Sequence, residues 1–443
     1  MMMTHVPAHD DAALNRSQAL VAHAPSSSPT GHETVIDRGA LFLVIILVPT
    51  IPFSAFRIPT HSFLLPYSAL AVGMFAYWCL ISFKTPRTSS RTARYSAIVL
   101  MLFGAWATLS LIWSQNPQLS HLLSLMFYLA STAAIVACSR ISPRTLHKAS
   151  TLLLTLMTLL VIYALYLVAA GKTPWFEFAP QSATQLGTRN SDAFMIATIF
   201  PMAFVRAIMT GTSKRVRLLA VLAGAVGIAA ILLSLSRSST VGIVIAALVT
   251  AAIGASLIPV RLRSVVVAVL LSLAALFILH SYFGSQELSV ARFQTIDESS
   301  RLPLADMAYE AGLGHLGNGL GYFEFSLLNP YGEDAHDAYL NLFAELGLPG
   351  LFLFCLLFAL PLYRYLTLAR QLRRRVQTLE TRTLYLQGLG LLVTLALMAT
   401  TDTFYKSIYF WIIYQLAIIH LSCAETEAAS RHSVAGGYLD ETF

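Results

Sequence analysis

The first residue of this sequence with chemistry to offer is a histidine where a charged stretch turns apolar. His336 lies in "GEDAHDAYLNLFAELGLPG" (332–350), with Glu333, Asp334, Asp337 and Glu345 nearby in sequence. A neutral imidazole can take a proton from a hydroxyl group. A histidine at a helix start also commonly just hydrogen-bonds a loop carboxylate, and residue type alone leaves both readings open. The positive end of a helix dipole favours the neutral, proton-accepting ring, while the neighbouring carboxylates favour the charged one. Asp337, Asp334 and Asp402 are the residues available to orient it. Asp402, in "TTDTFYKS", fits a cap on the last apolar segment better than an orienting role.

Arginines form the second group. Arg189 lies in "GTRNSDAF", Arg237 in "LSLSRSST", Arg292 in "ARFQTID", and Arg301 heads "RLPLADMAYEAGL". Guanidinium forks bind phosphate oxygens in pairs. Arginines at membrane ends also snorkel to lipid phosphates. Several on one face, beside a long loop, favour a pocket for a lipid-borne pyrophosphate.

The elements that must position these residues follow from composition. Hydrophobic residues make up 56% of the 443, charged residues 12%, and the mean hydropathy is +0.67. A soluble domain carries about 25% charged residues. The chain therefore reads as an all-α, polytopic membrane protein. About 20 apolar residues cross a hydrocarbon core, and twelve segments approach or meet that length: 39–56, 63–83, 95–113, 119–138, 149–171, 191–209, 217–235, 240–258, 264–283, 351–368, 384–400 and 407–422. Connecting segments on one side hold eighteen basic residues, those on the other seven. The basic-rich side is the cytoplasmic one, which puts both termini in the cytoplasm and His336 outside.

The expected organisation is a disordered cytoplasmic tail (1–38), nine spans (39–283), a large outer loop bearing the chemistry (284–350), three spans (351–422) and a cytoplasmic tail (423–443). Within the loop, 301–313 reads as a short amphipathic helix with Leu304, Met307, Ala308 and Leu313 on one face. Residues 314–325 read as glycine-rich turns. Residues 336–347 read as a helix above the membrane, broken from the span that follows by Gly347, Pro349 and Gly350.

Other chemistries find no support. The four cysteines show neither disulfide nor zinc spacing. There is no Walker A motif, no HExxH, and no acidic pair in an outer segment suited to a metal-bound nucleotide sugar. The glycines of "GNGLG" (317–321) lack a Rossmann-like context. No metal, other cofactor or nucleic-acid partner is expected, and the expected surroundings are membrane lipids. An enzyme on the outer face has no cytoplasmic ATP or nucleotide sugar, so its donor must be lipid-linked, with activation stored in a leaving pyrophosphate.

This layout, the "SRSS" turn and "HDAYLNLFAELGLPGL" together resemble the O-antigen ligase/polymerase superfamily of bacterial inner membranes. The specific signal is a histidine ahead of a Glu-Leu-Gly-x-x-Gly break, here His336, Glu345, Leu346, Gly347 and Gly350. The single large loop and the basic balance look most like the O-antigen ligase. The resemblance implies a GT-C-type, metal-independent, inverting glycosyltransferase with its active site facing the periplasm. It would move O-antigen from undecaprenyl diphosphate to a sugar hydroxyl of lipid A–core. By position, His336 matches the family's essential histidine, Arg189 and Arg301 its essential arginines, Arg237 its Ser-Arg turn, and Asp402 its late acidic residue. "GTRNSDAF" departs from the Gly-Asn-Pro-Asn-type stretch of many relatives. An O-antigen polymerase or a protein O-oligosaccharyltransferase uses the same donor and differs in acceptor. A transporter of lipid-linked glycan fits less well, because no internal repeat is evident and the ionisable residues gather at span ends and in loops.

Overall fold

A computed structural model describes residues 90–138, 141–169, 186–209, 212–234, 237–253, 301–373, 378–401, 403–406 and 408–440. These residues are helical, with no strand among them. The helices are α1 (Arg91–Leu109), α2 (Leu119–Cys138), α3 (Pro143–Ala169), α4 (Leu186–Ile208), α5 (Lys214–Ser234), α6 (Arg237–Ile253), α7 (Arg301–Gly314), α8 (Phe325–Leu328), α9 (Ala338–Arg373), α10 (Leu379–Met398) and α11 (Ile408–Asp440). Short 3-10 turns follow α1 and precede α11. Local sequence starts two of the helices cleanly. The Ser90 hydroxyl accepts from Ala93 N–H at 3.1 Å, and the Thr378 hydroxyl from Thr381 N–H at 3.2 Å, each capping an otherwise unpaired donor.

Among the described residues, four stretches are long and apolar enough to cross a membrane: Arg91–Ile112, Pro143–Tyr163, Ala338–Leu372 and Leu379–Met398. Shorter apolar helices lie at Leu119–Ala130, Ile196–Ile208 and Ser239–Ile253. The expected spans 39–56, 63–83 and 264–283 fall outside the described residues. At the other end of the chain α11 does not stop at 422 but continues to Asp440.

Helix α10 packs against α11, α4 and α6, while α9 packs against α1 and α7. Where α9 meets α11, Phe354 stands among Phe103, Tyr339, Phe358, Tyr405 and Phe410, ring centroids 5.4–6.0 Å apart. The phenol groups in this interior donate to backbone carbonyls: Tyr414 to Leu357 at 2.9 Å, Tyr365 to Ala417 at 2.7 Å and Tyr385 to Tyr365 at 2.7 Å. A polar group without water must find such a partner.

The break in α9 is at Gly347, whose φ of 65° and ψ of −165° are not helical. Such a break strands the carbonyls of the preceding turn, and Pro349 has no N–H to offer. Three of these carbonyls have a donor from outside the helix. Leu320 N–H reaches Ala344 O at 2.9 Å, Gly321 N–H reaches Glu345 O at 2.8 Å, and Trp106 Nε1–H reaches Leu346 O at 2.9 Å. The glycine-rich turns of 315–321 thus act as a cap on the broken helix. Gly319 makes the approach possible: its φ is +70°, and a Cβ there would lie 2.3 Å from Glu345 O. Gly319→Ala should therefore cost more than about 3 kcal/mol, combining backbone strain with a backbone clash. Gly314→Ala, with nothing within 4 Å of the added carbon, should be near neutral. Thermal unfolding of both variants in detergent checks the contrast.

Helix α7 is present over the expected stretch, but its packing ridge differs. Leu304 and Ala308 are buried with Phe325, Ala335 and Ala344. Leu313 is not on that face and is 47% exposed. Gly312 is there instead, so close to α9 that a Cβ would lie 2.3 Å from the Phe343 ring. Positions 304, 308 and 312 recur every four residues and form one ridge, and only the glycine lets the helices meet.

Candidate functional site

His336 lies on the chain that leads into α9. The expected helix start at 336 is corrected by two residues, because α9 begins at Ala338 and Asp337 is its cap. One Asp337 carboxylate oxygen accepts from Tyr339 N–H at 2.8 Å and Leu340 N–H at 2.9 Å. The chain turns sharply just before this cap, and His336 adopts φ 53°. That left-handed conformation costs a non-glycine residue about 1 kcal/mol or more, so neighbours must hold it. Asn341 Oδ1 accepts from Ala335 N–H at 3.2 Å, and Ala338 N–H donates to Ala399 O at 2.8 Å. The imidazole Nε2 lies 3.3 Å from Glu333 Oε2, with side chains 27% and 33% exposed. The ring is thus reachable from outside, and its carboxylate partner is Glu333 rather than Asp334 or Asp337.

Burial raises the Asp337 carboxyl above its usual range, and the two backbone N–H bonds only partly offset this. Its folded-state value therefore exceeds its unfolded one, so stability falls as pH rises through that window. Asp337→Asn keeps the cap without the buried charge and should match or exceed the native chain at pH 7. Asp337→Ala loses the cap and should cost about 1 kcal/mol. Unfolding midpoints of the two variants check this.

Asp334 is engaged elsewhere, by a residue to which the sequence reading gave no role. Lys406 Nζ lies 2.7 Å from Asp334 Oδ1 and 3.0 Å from Glu345 Oε1. Asp334 Oδ2 also accepts from the Thr403 hydroxyl at 3.1 Å. Tyr405 OH donates to Glu345 Oε2 at 3.1 Å and accepts from Asn341 Nδ2 at 2.9 Å. Glu345 is fully buried. The ammonium also lies 4.2 Å from the centre of the Phe323 ring, and the imidazole of His121 stacks on that ring at 3.9 Å. Phe323, like His336, has a left-handed backbone, with φ 70°. Burial alone would pull the Lys406 ammonium down; Asp334 and Glu345 outweigh it and hold the group above its ordinary value. The network joins the loop before His336, the limb of α9 above the break and the turn into α11. One signal in the sequence pointed to it: Lys406 is a cation in a connecting segment of the basic-poor set.

Beneath the loop, Glu324 is buried and accepts from the Ser114 hydroxyl and Asn116 N–H. Tyr322 N–H donates to Ser110 Oγ at 3.0 Å, and Trp113 Nε1–H to Asn318 O at 3.1 Å. The turn after α1 is therefore fastened to the loop that supports the α9 break.

Arg189 is in the first turns of α4, Arg237 opens α6 and Arg301 opens α7; Asp402 and the side chains of the three arginines are outside the described structure. Their helix ends can still be placed. Phe194, soon after Arg189, stacks on Phe404 at 4.3 Å. Gly242, soon after Arg237, approaches Met398 at the end of α10. Leu304, one turn after Arg301, packs with Ala335. All three helix starts thus gather at the end of the bundle that carries His336 and Lys406. Three arginine-bearing helix starts and a partly exposed imidazole at one end of the bundle would suit an anionic substrate whose neutral hydroxyl partner must lose a proton.

Comparison with known proteins adds one match. A family model described as O-antigen ligase matches residues 219–355. That stretch contains Arg237, Arg301, Glu333, Asp334, His336, Asp337 and the Gly347 break, and leaves Arg189 and Lys406 outside it. No curated protein matches the chain.

Proposed function

We propose that the chain is an O-antigen ligase, a reading supported by the O-antigen ligase family model that matches residues 219–355. In this reading the donor is O-antigen polysaccharide on undecaprenyl diphosphate, and the acceptor is a sugar hydroxyl of lipid A–core. The reaction runs on the periplasmic face of the bacterial inner membrane. The observation that carries the proposal is His336, half exposed at the head of α9, in a backbone conformation fixed by its surroundings and with Glu333 on one ring nitrogen.

The chemistry follows from that arrangement. Glu333 accepts the N–H of Nε2, which leaves the lone pair on Nδ1. The acceptor hydroxyl gives its proton to Nδ1 as its oxygen attacks the anomeric carbon. The bond from that carbon to the diphosphate oxygen breaks, and undecaprenyl diphosphate leaves with the electron pair. A single in-line displacement inverts the anomeric centre. Arg189 and Arg301, with Arg237 in support, bind the diphosphate and stabilise the charge that develops on it. Asp337 and Asp334 act at one remove, through the helix cap and the Lys406 pair.

The acceptor tests the proposal. The purified chain in proteoliposomes, given lipid-linked O-antigen, should extend lipid A–core. Transfer to a second lipid-linked glycan instead would make it a polymerase, and transfer to a pilin-like protein an oligosaccharyltransferase. Movement of intact donor across the bilayer without a new glycosidic bond would make it a transporter.

A further inference from the structure

We propose that the outward face of α7 lies in the acyl-chain layer of the membrane, which makes this helix of the outer loop an in-plane anchor. Its two faces are both apolar. One packs on α9 through Leu304, Ala308 and Gly312. The other presents Leu302, Tyr309 and Leu313, exposed by 63%, 52% and 47%. Steps of seven and four residues bring these three onto one stripe of a helix, with exposed Asp306 at its edge beside Leu313 and exposed Glu310 further round the flank. Facing water, such a stripe would be an unexplained apolar patch.

What covers it follows from its neighbours. Leu316, just past the end of α7, is exposed, and its carbonyl accepts from Leu348 N–H at 2.9 Å. Leu348 is exposed as well, as is Phe352 one turn further along α9. The α7 stripe therefore continues into the outer surface of a candidate membrane span.

The length of that span supplies the second argument. From the break to the first charged residue, Arg364, the uncharged run is 348–363, which rises about 24 Å at about 1.5 Å per residue. A hydrocarbon core is about 30 Å thick. Arg364, its side chain 43% exposed, pairs with Glu425 at 2.9 Å and donates to the Thr92 hydroxyl at 3.1 Å, and so marks the edge of the apolar run. About 6 Å of hydrocarbon thus remains on the other side of the break, at the level where Leu316 and Leu313 lie. A helix with one apolar stripe and a charged flank settles in that layer. The opposite ridge of α7, packed near Ala335, then holds the His336 loop at the depth of lipid head groups. This inference rests on α9 crossing the membrane and is independent of the transferase reading.

Nitroxide labels at positions 302, 309, 310 and 313 of the full chain in lipid vesicles, with its four cysteines replaced by serine, test it. Collision with oxygen, which concentrates in lipid, should exceed collision with a water-soluble nickel chelate several-fold at 302, 309 and 313. The order should reverse at 310. Nickel-dominated collision at the first three positions overturns the proposal, as does exclusion of both reagents, which would mean that protein covers the face. A second measurement uses the native chain. Hydroxyl radicals should oxidise Tyr309 several-fold more slowly than the loop residue Tyr331 in vesicles, and equal rates overturn the proposal.

Discussion

Replacing His336 with alanine should lower glycan transfer to lipid A–core by about 10²- to 10⁴-fold, the usual contribution of a positioned general base. Binding of the lipid-linked donor should stay within about threefold, because in the proposed mechanism the imidazole acts on the acceptor hydroxyl and other groups hold the diphosphate. Glu333→Ala should give an intermediate loss: the carboxylate 3.3 Å from Nε2 orients the ring and touches neither reacting atom. Transfer measured in proteoliposomes, with donor retention measured in parallel, separates the alternatives. A His336→Ala chain that transfers at the native rate removes the base assignment. A chain that loses donor binding in proportion to transfer reassigns His336 to the donor site.

The second large effect is expected at Lys406. Lys406→Met leaves the fully buried Glu345 and the half-buried Asp334 without their cation. Removing one partner of such a group costs about 3–5 kcal/mol, because the remaining charge stays out of water. The unfolding midpoint in detergent should fall accordingly. Transfer should fall too, since Asp334 is two residues from His336. Lys406→Met combined with Glu345→Gln should regain part of the lost stability, because the stranded charge is gone. The pH dependence has a fixed sign. The folded-state value of Lys406 lies above its ordinary value of 10.5, so its stabilisation is full below about pH 10.5 and is lost as pH rises through the higher folded value. On the alkaline side the difference between the native and Lys406→Met chains should therefore persist until strongly alkaline solution, and in acid it should shrink as Glu345 and Asp334 take up protons. Equal midpoints at neutral pH would show that the network adds nothing to stability.

Much of this site was legible in the sequence, and what was missed has a physical pattern. The Gly347 break was readable because glycine and proline act on their own backbone, whatever surrounds them. The α7 helix was readable from its periodicity, and Leu304, Met307 and Ala308 lie on its packed side as expected; Leu313 does not, and Gly312 makes the close contact instead. Periodicity counts apolar side chains, and a glycine that permits close approach has none. Asp337, Asp334 and Asp402 were the residues expected to be available to orient His336, and among the described residues the carboxylate beside its ring is Glu333. Asp337 is drawn to the two N–H groups at the start of α9. Asp334 is drawn to an ammonium that lies 72 residues further along the chain.

A helical chain with long apolar segments, the break at Gly347, and a histidine at the edge of an apolar helix were all readable along the sequence. These follow from composition, periodicity and backbone chemistry, each of which acts over a few residues. Only the tertiary structure decided that Lys406 bridges Asp334 and Glu345, that Leu320, Gly321 and Trp106 cap the broken helix, and that His336 is held in a left-handed turn. Each of these is a pairing between distant segments. A buried charge or a stranded carbonyl requires a partner, and its requirement can be read in one dimension; which residue meets it depends on the packing that brings the segments together.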